Sequence, residues 1–167
     1  MDLLLLRHGI AADLAETGLT RDSLRPLTPE GIQKVERVAV AMSAMRLDFD
    51  LILSSPFTRA RQTAEIVARE LGLEKRLEFD QTLGCGGDAR DVVRHLVTRK
   101  PMPETVLLVG HEPDLSRFIS VLVSGDTGFL VTMKKAALCK LTMRTLIHGR
   151  CASLEWLLTA KQMALMK

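Results

Sequence analysis

Apolar residues follow two rhythms along this chain. Short unbroken runs at 3–6, 51–53 and 105–109 have the length and composition of strands buried on both faces. Between them, apolar residues recur every three or four positions. Ile32, Val35, Val38, Ala39, Met42 and Met45 form one stripe of an amphipathic helix lying on a sheet, with both methionines as core filling. Thr28 reads as its N-cap, Pro29 as its first helical position and Glu30 as the acid beside its positive end. Phe57, Ala60, Ala64, Val67, Ala68 and Leu71 share the face of a second helix that Gly72 stops. A third helix spans 88–100, with Val92, Val93, Leu96 and Val97 inward and Pro101 and Pro103 as breakers. A fourth spans 114–123.

The remaining stretches are shorter. A strand fits 77–79, and the three glycines of 82–88 mark a loop. The polar segment 10–25 reads as a loop over the strand ends, with room for a short helical piece. Beyond Phe129 two further strands, 136–142 and 151–157, are joined by a turn near His148 and Gly149, and 160–166 forms a last short helix. No repeat, linker or low-complexity segment interrupts residues 1–167, so one domain is expected. Strands alternating with helices give an α/β fold, a three-layer α/β/α sandwich. Its sheet is mainly parallel, and a closing hairpin makes it mixed.

Composition narrows the function. Hydrophobic residues are 47% and charged residues 26%, the balance of an ordinary globular domain. The net charge of +3 comes without any run of like charge, and with no tyrosine and one tryptophan there is no stacking platform. No nucleic-acid partner is expected. Cys85, Cys139 and Cys151 form no CxxC pair and read as free thiols of a reducing compartment. The leucine run is too short for a signal peptide core, and no stretch reaches membrane-spanning length. A cytoplasmic, monomeric protein is the expectation.

Three apolar strands run directly into polar turns: Arg7, His8 and Gly9 after the first; Ser54, Ser55 and Pro56 after the second; Gly110, His111 and Glu112 after another. Carboxyl ends of parallel strands share one edge, where ligands bind. Arginine and histidine at the end of a buried strand are costly unless used. Gly9 removes a side chain, which allows a turn and the close approach of a ligand. Arg59 lies in the first helical turn after Pro56, where the helix dipole disfavours a cation by about 0.3–1 kcal/mol. That broken rule suggests an anion held by Arg59 and the exposed amides. Arg61, about 200° further round, reads instead as a partner for Glu65. His95 and His148 read as structural. A metal would need Glu112 or Asp13 beside the two histidines, and the arginines oppose a divalent cation, so neither metal nor cofactor is expected.

Together these motifs resemble the histidine phosphatase superfamily, with its phosphoglycerate mutase-like fold. The matching residues are Arg7, His8 and Gly9, then 54–56 continuing through Arg59, Ala60, Arg61, Gln62, Thr63 and Ala64, then Gly110, His111 and Glu112. The stretch 27–31 also fits. The short chain, 109–116 and 156–162 look most like the SixA-type phosphohistidine phosphatase branch. The resemblance implies that His8 is a nucleophile taking up the phosphoryl group. It also implies that Arg7, Arg59 and His111, with Gly9, surround the phosphate. Charge spread over three phosphoryl oxygens favours such positive donors.

Many members of the superfamily add an acid for an alkoxide leaving group. Here 81–88 contains no glutamate, and Asp88 reads more readily as a helix cap than as that acid. An imidazole leaving group, with a pKa of about 6.5, needs less help. The expected partner is therefore a phosphorylated protein carrying phosphohistidine on a phosphotransfer domain. The alternatives are a small phosphorylated substrate, with Asp88 or Glu112 as proton donor, and a non-catalytic phosphate-binding module.

Overall fold

The structure, a computed structural model, describes residues 1–166. Six strands form one sheet: β1 (Asp2–Arg7), β2 (Leu51–Ser54), β3 (Leu77–Phe79), β4 (Thr105–Gly110), β5 (Leu138–Met143) and β6 (Ala152–Leu158). Their order is β3-β2-β4-β1-β5-β6, parallel from β3 to β1 and antiparallel across β5 and β6. The helices are α1 (Leu14–Thr17), α2 (Pro29–Ala44), α3 (Thr58–Leu71), α4 (Ala89–Val97), α5 (Asp114–Ser124) and α6 (Ala160–Met163).

The four leucines of β1 show why both faces are covered. Leu4 and Leu6 point into one core with α2, α3 and α6, and Leu3 and Leu5 into a second core with α4 and α5. The fold is thus the expected three-layer α/β/α sandwich on a mixed sheet. Local signals act as read. Thr28 Oγ1 accepts the Gly31 amide hydrogen at 2.9 Å, and Gly72 ends α3 at φ 69°. The third helix is shorter than expected: it stops at Val97, which is 41% exposed. Val92, Val93 and Leu96 already fill the stripe that meets the second core, which leaves Val97 off it. Likewise α3 starts at Thr58, after Pro56 and Phe57 have turned the chain out of β2.

The sheet order places β2, β4 and β1 side by side. Arg7 pairs with Gly110 and Ser54 with Val109, so the three strands end level with one another. His8, Ser55 and His111 follow immediately.

Candidate active site

Apart from Ser120, the buried polar residues of the described chain belong to this edge and the helix behind it: His8, Ser54, Ser55, Arg59, Thr63 and His111. His8 and Arg59 are each 3% exposed and His111 2%. The His8 amide donates to the Gly110 carbonyl at 3.1 Å, and the Ser55 amide to Val109 at 2.9 Å. These bonds extend the ladders past the strands and fix where each side chain starts.

His8 Nδ1 lies 2.7 Å from the Gly9 carbonyl. A carbonyl only accepts, so Nδ1 carries the proton and Nε2 keeps its lone pair. Two cations face that lone pair: Arg59 Nε donates to His8 Nε2 at 3.2 Å, and Lys135 Nζ lies 3.4 Å from it. Burial first, then Lys135, His111 and Arg59, outweigh the Gly9 bond and push the His8 pKa down to about 2. The ring is neutral across the physiological range.

His111 sits with its ring centroid 5.1 Å from that of His8 and 5.1 Å from that of Phe57. Its Nε2 lies 2.8 Å from Ser55 Oγ. Burial, then Arg59, Lys135 and Arg7, lower its pKa to about 4, although Asp22 opposes the shift. His111 is therefore neutral in the free protein at pH 7. Arg7 donates through Nη1 to the Met133 carbonyl at 2.7 Å. Arg7 Nε and His111 Nδ1 are buried without a hydrogen-bond partner. Unpaired polar atoms of this kind cost about 1–3 kcal/mol each and gather where a fold gives up stability to bind something.

Gly9 differs from its expected use. A Cβ on Gly9 would come within 2.7 Å of Val35 Cγ2 and 3.1 Å of Leu27 Cδ2, so the clearance serves α2 and not a ligand. Its amide is also committed, donating to Thr63 Oγ1 at 3.1 Å while Thr63 donates to the Arg59 carbonyl at 2.7 Å. With its amide on Thr63 and its carbonyl against His8 Nδ1, Gly9 leaves no free donor for a phosphate.

Sequence reasoning missed two residues. Lys135 reaches the site because the Ala136 amide donates to the carbonyls of both Arg7 and His8, at 3.1 and 3.2 Å, with Ala136 held at φ 58°. Burial, then Arg7, Arg59 and Arg25, bring the Lys135 pKa down to about 8, against the pull of Asp22. Asp22, in a short 3-10 turn, accepts from Arg59 Nη2 at 2.9 Å through its carboxylate and from Nη1 at 2.8 Å through its carbonyl. A phosphate on Arg59 has to share the guanidinium with this carboxylate. The only hint of Lys135 was the pair of lysines at 134–135 just before an apolar strand. Asp22 gave no periodic signal at all.

The proposed proton donors are occupied elsewhere. Asp88 caps α4, accepting the Arg90 amide hydrogen at 2.8 Å. Glu112 accepts from the Ser116 hydroxyl at 2.7 Å and its amide at 3.2 Å. Arg61 pairs with Glu65 at 2.7 Å, and His95 Nδ1 lies 2.6 Å from Asp80. A neutral imidazole whose lone pair faces two cations can attack an electrophile that carries negative charge, and a phosphoryl group is such an electrophile.

Comparison with known proteins agrees with this chemistry. The model of the histidine phosphatase superfamily, branch 1, matches residues 3–83. Phosphohistidine phosphatase SixA of Escherichia coli is 31% identical over 139 residues, 82% of this chain and 83% of that protein. The chain belongs to the histidine phosphatase superfamily. Within it, the SixA branch is the match. A structure of the protein histidine phosphatase SixA complexed with tungstate superposes with a TM-score of 0.81 at 28% identity, covering 96% of this chain and 98% of that one. An uncharacterized protein of Picosynechococcus sp. is 39% identical over 140 residues, 83% of this chain and 82% of its own. The chain is accordingly a phosphatase of this superfamily, with its phosphoglycerate mutase-like fold. No helix among the described residues is long and apolar enough to cross a membrane.

Proposed function

We propose that this phosphatase removes phosphate from phosphohistidine on a partner protein, through a covalent intermediate on His8. The observation that carries the reading is the state of His8: buried, neutral, its Nδ1 proton held by the Gly9 carbonyl and its Nε2 facing Arg59 and Lys135. The similarity to a phosphohistidine phosphatase supports the substrate class.

In the first step, His8 Nε2 bonds to phosphorus as the phosphorus–nitrogen bond to the substrate imidazole breaks. The substrate ring, protonated on its other nitrogen, keeps the electron pair of the broken bond and leaves as neutral imidazole. The His8 ring, still protonated on Nδ1, becomes positive, and the Gly9 carbonyl stabilises that charge. Arg59, Lys135, Arg7 and His111 face the negative oxygens, where preorganised donors act most strongly. In the second step, water adds to phosphorus, the bond to His8 Nε2 breaks, and the ring returns neutral while dihydrogen phosphate leaves. Neither step requires a carboxylic acid. Asp88 and Glu112, already engaged with Arg90 and Ser116, are consistent with that economy. An alkoxide leaving group would need such an acid.

The test compares free phosphohistidine with a panel of phosphoserine, phosphotyrosine and sugar phosphates. Phosphohistidine should be turned over with a kcat/KM at least about a hundredfold higher, as expected when general-acid help of about 10²–10⁴ is missing for the esters. An ester preferred over phosphohistidine and abolished by Asp88→Asn or Glu112→Gln would replace the reading with a small-molecule phosphomonoesterase. Phosphate binding without turnover of any substrate would make the chain a binding module.

A further inference from the structure

Beside the phosphate site, Arg7, Lys34, Arg37, Lys134, Lys135 and Lys161 line a single groove of about 850 Å³ between α2, α6 and the turn that carries Lys135. No carboxylate lines it, and none of the six cations has an ion-pair partner within 4 Å among the described residues. This is a concentration of charge in a chain whose formal net charge is only +3. Lys34 and Arg37 stand three apart on α2, where like charges repel by about 0.2–0.5 kcal/mol. Some acids act from outside the groove. Glu36 lines the next depression with Arg37, and Asp22 and Glu112 bear on Lys135 and Arg7 from the site itself.

Apart from Thr159, the rest of the groove is apolar: Ile10, Ala160, Ala164 and Leu165, the last 79% exposed. Cations around an apolar floor match an acidic, amphipathic protein segment, whose carboxylates meet the rim while its aliphatic side chains meet the floor. A phosphate monoester alone would engage only Arg7 and Lys135. No aromatic side chain lines the groove for nucleobase stacking.

We infer that this groove docks an acidic amphipathic segment flanking the phosphohistidine of the substrate protein, so that charge outside the reacting atoms selects the substrate. The inference rests on the phosphohistidine reading and specifies which such proteins the enzyme prefers.

Two phosphohistidine peptides test it, identical except that one carries alternating Glu and Leu beside the phosphohistidine and the other Gln and Leu. At low salt the acidic peptide should have a kcat/KM about tenfold higher, and about 0.5 M salt should erase the difference. Lys34→Glu/Arg37→Glu/Lys161→Glu should cut the preference to about twofold or less by removing that attraction. Phosphoramidate turnover should stay unchanged, which shows that the variant is folded. A milder Lys34→Gln/Arg37→Gln/Lys161→Gln variant should fall between. Equal rates on the two peptides, or a preference that survives charge reversal, would overturn the inference while leaving the phosphatase reading intact.

Should neither peptide nor phosphoramidate be hydrolysed, the phosphohistidine reading fails, and the groove is judged by binding alone. Anisotropy of a fluorescein-labelled unphosphorylated acidic peptide should then show a Kd about tenfold weaker for the charge-reversed variant, and an unchanged Kd would overturn it. Sedimentation with phosphatidylserine vesicles that depends on the three cations, with no discrimination between peptides, would overturn it in favour of a membrane surface.

Discussion

Burial and surrounding cations turn His8 from a group that titrates near neutrality into one that stays unprotonated down to about pH 2. The acid limb of the rate profile therefore does not come from the proposed nucleophile. The alkaline limb belongs to Lys135, whose pKa is brought down to about 8 by burial and by Arg7, Arg59 and Arg25. Lys135 is charged below that pH and neutral above it, and kcat/KM reports the free enzyme. We expect kcat/KM to fall as pH rises through about 8 in the wild type. In Lys135→Met the rate should be about a hundredfold lower with that limb gone, the scale of removing one preorganised donor. A Lys135→Met enzyme with normal rate would show that the ammonium is not used. Lys135 escaped the sequence reading because its place depends on a positive-φ alanine, Ala136, bonded to a strand more than a hundred residues earlier. Nothing local announces such a contact, whereas His8, Arg59 and His111 each stand at a readable strand or helix end.

Among the elements, α2 sets how the strand end can turn. Gly9 exists because Val35 Cγ2 would meet a Cβ there at 2.7 Å, with the Gly31 carbonyl at 3.2 Å. Gly9→Ala should destabilise the fold by about 1–3 kcal/mol, the usual cost of overpacking. Combining it with Val35→Ala should recover about 1 kcal/mol relative to the sum of the single changes, as contacting sites do. Urea unfolding of the four proteins measures this coupling, and strict additivity would show that α2 does not set the constraint. Strand and helix identities were legible wherever an apolar run or stripe was long: the leucines of β1, the stripe of α2, the glycine stop of α3. The reading failed at α4, where Val97 matches the stripe by composition but sits on the helix face turned away from the core that Leu96, beside it, enters. It also assigned Gly9 to a ligand, because sequence shows that a side chain is absent but not which neighbour fills the space.

At the scale of the whole molecule, two buried neutral histidines couple stability to pH. Both have folded pKa values depressed below the ordinary value of about 6.5, His111 to about 4 and His8 to about 2. The unfolded chain binds protons that the folded one refuses, so stability is lost as pH falls from about 6.5. The loss extends through 4 for His111 and toward 2 for His8, and by pH 5 it is about 2 kcal/mol for each. The ionised carboxylates Asp50 and Asp80, with pKa values below their ordinary range, contribute only at lower pH. Wild-type urea midpoints should therefore drop between pH 7 and pH 5, and His8→Gln should remove about half of that drop; an equal drop in both proteins would contradict it. The same burial makes His8 a neutral base at working pH, and the account stands on that. The most direct test is to quench the protein during turnover of phosphohistidine or phosphoramidate under alkaline conditions that preserve phosphohistidine and to locate the phosphate by mass spectrometry. The account predicts one phosphate on His8, bonded at Nε2, absent from His8→Ala and lost on acid treatment. Turnover with no phosphate on His8, or with the phosphate on another residue, would contradict it.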